Sequence, residues 1–157
     1  MHFSFSYHKK QVIQGLRYHF ISRREIKLMM ILINVFAFLS AILYYSNKIR
    51  PEAFLLGSLV WLLMMVSVWF ILPYTIYSKT AVFKDQFIIY ITDATIRLEN
   101  EKGGTTWDWD KFSSYFESPH FFHLYFDTKT FFLIPKENMD EEGMTYLRAL
   151  LNKKVGV

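Results

Sequence analysis

Asp108 and Asp110 stand two residues apart in the run Trp107-Asp108-Trp109-Asp110. On an extended strand both carboxylates would project from one face and both indoles from the other. Paired carboxylates on one face can serve general acid–base catalysis. The same alternation describes a solvated outer face backed by two core tryptophans, and that is the reading adopted. The histidines are His2, His8, His19, His120 and His123. His120 and His123 are three apart on or beside a strand, so they should point to opposite faces. With no cysteine and no His-Glu-x-x-His sequence, the chain is expected to hold no metal and no other cofactor. Gly103-Gly104 is followed by neither a helix nor Gly-Lys-Ser/Thr, which removes a phosphate loop, and no serine sits in a nucleophile-elbow context. The expectation is a protein that is not an enzyme.

The elements that must position any site are dominated by two charge-free apolar runs, residues 28–45 and 54–72, separated by Ser46–Ala53. Each is long enough to cross a hydrocarbon core of about 30 Å at about 1.5 Å per helical residue. A chain of 157 residues has too little other protein to bury two such helices in a soluble core. A cleaved signal peptide fits poorly, because the first run begins only at Leu28 and is followed at once by a second. The predicted organisation is an N-terminal strand and amphipathic helix over 1–27, a transmembrane hairpin over 28–77, and a β domain with a C-terminal helix over 80–157.

Charge orients the hairpin. Lys9, Lys10, Arg17, Arg23, Arg24 and Lys27 precede the first run, opposed only by Glu25, whereas the connector carries Lys48 and Arg50. The net charge of +4 is therefore concentrated before the membrane and gives no argument for nucleic-acid binding. By the positive-inside rule both termini are expected in the cytoplasm of a bacterial inner-membrane protein. Tyr44, Tyr45, Tyr74 and Tyr77 suit the interfacial aromatic belt. Arg17, Arg23, Arg24 and Lys27 are candidate contacts to anionic headgroups. Their segment, with Ile13, Leu16 and Phe20 on one stripe, could equally pack on the cytoplasmic domain. Folding the hairpin about residues 49–50 places Asn34 level with Ser67 and Ser40 with Ser58, as interhelical polar contacts, with Ala37, Ala41, Ala53 and Gly57 allowing close approach.

Period-two alternation marks the rest. Phe3–Tyr7 is a short strand that must pair elsewhere, with its own chain or with a neighbour's in a strand-exchanged dimer. Phe87–Ile91, Thr95–Glu99, Gly104–Asp108, Lys111–Glu117, Phe121–Phe126 and Thr130–Ile134 are further strands, with a turn at Glu101-Lys102-Gly103-Gly104. Asp140 is the expected N-cap of a helix whose stripe is Met144, Leu147, Leu150 and Leu151, with Lys153 and Lys154 in its last turn. The predicted fold class is α+β: a two-helix transmembrane hairpin and a cytoplasmic antiparallel sheet closed by one C-terminal helix.

A meander of strands, Trp109 followed three residues later by Phe112, an aromatic hairpin, Ile134-Pro135-Lys136 and an acidic-start helix resemble the YcxB-like family. The chain departs from that pattern at the second tryptophan, Trp107, and in the aromatic density of its hairpin. The resemblance implies a membrane-tethered domain of pleckstrin-homology-like type, and it implies no activity.

Aromatic residues make up 19% of the chain, and Phe121–Phe126 with Phe131–Ile134 place apolar groups on both faces of one hairpin. A small antiparallel sheet usually leaves one face polar. Either the chain covers the second face itself, which is the preferred reading, or Phe121, Phe122, Tyr125, Phe131, Phe132, Trp107 and Trp109 form an interaction surface. The functional expectation is a non-catalytic membrane binding or adaptor protein, with lipids and either a protein partner or a second copy as partners. The alternative is an immunity or resistance protein that binds a toxin.

Overall fold

The structure is a computed structural model that describes residues 1–156. The chain is α+β, with helices, two antiparallel sheets, two long apolar helices and one C-terminal helix. It divides into two compact units, Met1–Gly15 with Thr80–Val157, and Leu16–Lys79. The first fifteen residues of the N-terminal segment thus cluster with the β domain.

In the first unit, β1 (His2–Ser6), β2 (Gln86–Ile91), β3 (Thr95–Asn100) and β4 (Gly103–Asp108) form a sheet in that order. β1 pairs antiparallel with β2 of its own chain, Phe5 opposite Phe87 and Phe3 opposite Ile89. The alternation of β2 delivers what the sequence implies: Phe87, Ile89 and Ile91 are buried and the intervening residues exposed. The β3–β4 loop is tighter than the expected four-residue turn. Asn100 pairs with Gly103, and Gly103 takes φ +142°, a conformation that needs glycine. β5 (Ser114–Glu117), β6 (Phe121–Tyr125) and β7 (Phe131–Pro135) form the second sheet. The strand expected from Lys111 starts later because Trp109–Lys111 coil into a 3₁₀ turn. α5 (Glu141–Lys154) closes the core with Leu147, Leu150 and Leu151, and the Asp140 carboxylate accepts from the Gly143 N–H at 2.7 Å, the predicted cap.

α1 (Lys9–Ser22) is shorter than the helix expected up to Lys27, because Arg23 is extended and caps α2 (Arg24–Tyr45). Its buried stripe is Val12, Gly15, Leu16, His19 and Phe20, so Ile13 is displaced to a half-buried position. α3 (Pro51–Val66) continues through a π turn at Ser67–Ile71 into α4 (Leu72–Lys79). The second helix therefore runs on through Pro73, past the end of the apolar run at residue 72. The proline ring is accommodated by the widened turn before it, so Tyr74 and Tyr77 are helical.

Candidate membrane and interaction sites

The two long helices carry their apolar side chains outward. Phe38 is 70% exposed and Leu55 65%, and neither α2 nor α3 has a buried residue. A core helix of a soluble protein shows the opposite, so this surface is compatible with a membrane protein.

Between these helices the polar contacts differ from the expected pairing. The Trp61 indole N–H donates to Asn34 Oδ1 at 3.2 Å, while Asn34 Nδ2 donates to the Met30 carbonyl. The Ser58 and Ser67 hydroxyls bond the carbonyls four residues back, Phe54 and Leu63, rather than reaching across. A serine in an apolar helix satisfies itself at no cost in helix geometry beyond a slight bend, whereas asparagine has more donors and acceptors than its own turn can use. The register also differs, since the turn between Tyr45 and Pro51 centres nearer residue 48 and brings Trp61 rather than Ser67 level with Asn34. Ser40 does lie beside the second helix, its Oγ 3.8 Å from where a Cβ on Gly57 would be. Ala37, Ala41, Gly57, Phe36 and Phe54 line an apolar groove of about 410 Å³ alongside this contact.

Of the four cations named from sequence, Arg17 has a specific structural partner. Pro73 has no N–H to donate to the Trp69 carbonyl, and Arg17 Nε supplies the missing bond at 2.9 Å. The guanidinium carbon lies 5.7 Å from the Trp69 ring centre and 5.3 Å from that of Phe70. Arg23 is 3.8 Å from Glu25, and Arg24 and Lys27 are exposed. Buried His19 is held by desolvation, with Arg23 adding to it, at a pKa of about 4.

In the β domain the aromatic residues proposed as an interaction surface are mostly core. Phe121, Phe122, Phe132 and Trp109 are buried, and Trp107, Tyr125 and Phe131 are half-buried. The four buried side chains are closed to a partner, while half-buried Trp107, Tyr125 and Phe131 keep part of their surface accessible. Phe122, Leu124, Phe132 and Ile134 enter the main core with α5. On the opposite face Phe121 meets α1 at Gly15, where a Cβ would sit 2.9 Å from the Phe121 ring. Beside it, buried His123 shares a hydrogen bond between Nε2 and Ser118 Oγ at 2.9 Å. His120 is half-buried, and no cluster of three metal-ligating side chains occurs among the described residues. Trp109 donates its indole N–H to the Thr92 carbonyl at 3.0 Å and packs on Phe112, with Asp108 and Asp110 exposed on either side. Trp107 packs instead on Phe126 and Phe132.

Trp109 thus packs on Phe112 across its turn, and Ile134-Pro135-Lys136 closes β7 ahead of α5. Residues 91–151 match the YcxB-like protein family. No curated protein and no solved structure matches the chain. The YcxB-like segment is less than half of the chain and leaves α1 to α4 outside it. Its lysine has a role that sequence reading missed. Lys136 Nζ lies 2.6 Å from Glu117 Oε1, and Arg148 makes a two-pronged contact to the same carboxylate, Nη2 to Oε1 at 2.7 Å and Nε to Oε2 at 3.1 Å. Both cations also lie over the Phe122 ring, at 4.9 and 6.0 Å. The hydrogen bond from Arg148, reinforced by Lys136, outweighs desolvation and lowers the Glu117 pKa to about 2. This triad ties β5, the end of β7 and α5 together within the YcxB-like segment.

Proposed function

We propose that this chain is a non-catalytic integral membrane protein of the bacterial inner membrane that presents its β domain at the cytoplasmic face as a binding or adaptor module. The observation that carries the reading is the β1–β2 ladder. Its strands, residues 2–6 and 86–91, flank both long apolar helices and pair in one sheet. Two paired strands share one compartment, so the chain between them crosses a bilayer an even number of times. The two candidate spans supply that number, and the basic residues before the first span favour the cytoplasm as the shared side.

The two sheets closed by one C-terminal helix support the pleckstrin-homology-like expectation. Asp108 and Asp110 serve as solvated flanks of the buried Trp109 turn, which accounts for their spacing without catalysis. The partners are membrane lipid and a protein, with no role for nucleic acid.

Two experiments test the reading. The chain has no cysteine, so single cysteines at Lys48 and Lys102 can be labelled in intact cells with a membrane-impermeant maleimide. Labelling at 48 from outside, and at 102 only after lysis, is expected; the reverse overturns the orientation. In-cell cross-linking followed by purification of the full chain should bring down one stoichiometric foreign protein. A secreted toxin as that partner would replace the adaptor reading with immunity, and recovery of the chain alone would overturn both.

A further inference from the structure

The geometry points to the guanidinium of Arg17, seated at the π turn of the second apolar helix, as the binding site for the headgroup phosphate of an anionic phospholipid. The inference rests on the reading of the two long apolar helices as membrane-spanning. Its first support is the state of Arg17 itself. The side chain is half-buried, and its one hydrogen bond, through Nε, goes to a neutral carbonyl. Two aromatic faces lie beside it, yet it makes no ion pair among the described residues. A partly desolvated cation without an anion is an incomplete arrangement. Because Nε is the atom engaged, the terminal amino groups of the fork remain for a second acceptor, and that fork fits phosphate two-pronged.

Height in the bilayer supplies the second argument. From Pro51 to Trp69 the helix rises about 27 Å, so Trp69 lies at the far edge of a hydrocarbon core of about 30 Å. Counting the same distance back from Tyr45 along α2 reaches Lys27. Arg17, Trp69 and Lys27 therefore share one level, where interfacial tryptophans and lipid phosphates both lie. Charge is the third argument. Arg17, Arg23, Arg24 and Lys27 face one nearby acid, Glu25, which Arg23 already engages. A zwitterionic headgroup would bring its own cation into this excess of positive charge, whereas a headgroup of phosphatidylglycerol type would not.

The site can be read by native mass spectrometry of the full chain released from nanodiscs of equal phosphatidylglycerol and phosphatidylcholine. Wild type should retain phosphatidylglycerol in preference to phosphatidylcholine. Arg17→Gln should lower that retention several-fold, Arg17→Lys by less, and Lys48→Gln in the connector should leave it unchanged. Equal retention by Arg17→Gln and wild type, or no preference between the two lipids in wild type, overturns the site. Inorganic phosphate at about 10 mM should not displace the lipid; displacement would assign the site to a soluble anion and overturn the lipid assignment. Should Arg17→Gln fail to insert, the wild-type preference and the Arg17→Lys reduction still decide the matter. Alkaline carbonate extraction separates the two levels: wild-type chain in the soluble fraction overturns the membrane reading, and chain in the pellet with no lipid preference overturns the Arg17 site alone.

Discussion

Replacing Glu117 by glutamine keeps the shape of the side chain and removes its charge from between Lys136 and Arg148. The carboxylate is held at a pKa of about 2 against an ordinary 4.5. Each unit is worth about 1.4 kcal/mol, so the full displacement corresponds to about 3 kcal/mol in favour of the fold. The side chain is 29% exposed, and water screening brings the expected loss to about 1–2 kcal/mol. Lys136, whose side chain is only 15% exposed, would be left without its anion. The sign follows from the lowered pKa: the stabilisation is complete above about pH 5 and is lost as the pH falls from 4.5 through 2. Full-length protein in nanodiscs, unfolded thermally and followed by tryptophan fluorescence, should show Glu117→Gln melting about 5–12 °C below wild type at pH 7. The gap should narrow steadily from pH 5 to pH 3. Equal stability at pH 7, or a gap that does not change between pH 5 and pH 3, would refute the reasoning.

Three further outcomes are expected. His19 has a pKa of about 4 in the fold against an ordinary 6.5, so wild type should lose stability as the pH falls from 6.5 towards 4, a limb that His19→Gln should abolish in the same melting assay. Gly15→Ala should destabilise by about 1 kcal/mol, because its Cβ would sit 2.9 Å from the ring of fully buried Phe121 and a gain in helix propensity of about 1 kcal/mol offsets that clash only in part, and Gly15→Val should cost more, about 2–3 kcal/mol. Trp61→Phe, which strips Asn34 Oδ1 of its donor, should weaken the hairpin by about 1 kcal/mol, read as earlier separation of the helices in a detergent titration.

The parts of the fold that local chemistry dictates are legible in the sequence. Alternation in Phe87–Ile91 found β2, and Asp140 marked the start of α5 through its own side-chain bond. The two long apolar helices followed from length and the absence of charge. What escaped were contacts between distant residues. That Phe121 and Phe122 needed cover on both faces was visible, but its source at Gly15 lies more than a hundred residues away. Arg17 was read as one basic residue among four, because the orphaned carbonyl that claims it arises only from Pro73 acting on Trp69. Depth pairing in the hairpin misplaced Asn34 because an apex uncertain by two residues moves the facing position by a full turn. Glu117 carried no signal at all, since one acid in a β strand looks like solvated surface until Lys136 and Arg148 arrive beside it.

The pairing of β1 with β2 also constrains how the protein can be made. Residues 2–6 are synthesised about eighty positions ahead of their partners, residues 86–91. Closing so long a loop in a free chain would cost about 4 kcal/mol of entropy. In the proposed topology the two apolar helices are inserted between these events, and that step draws the ends of the intervening segment together, since α2 and α3 lie side by side. In the proposed topology bilayer insertion thus acts as a folding step for the sheet, and a chain stalled outside the membrane would expose β2 as an unpaired, alternately apolar edge open to aggregation.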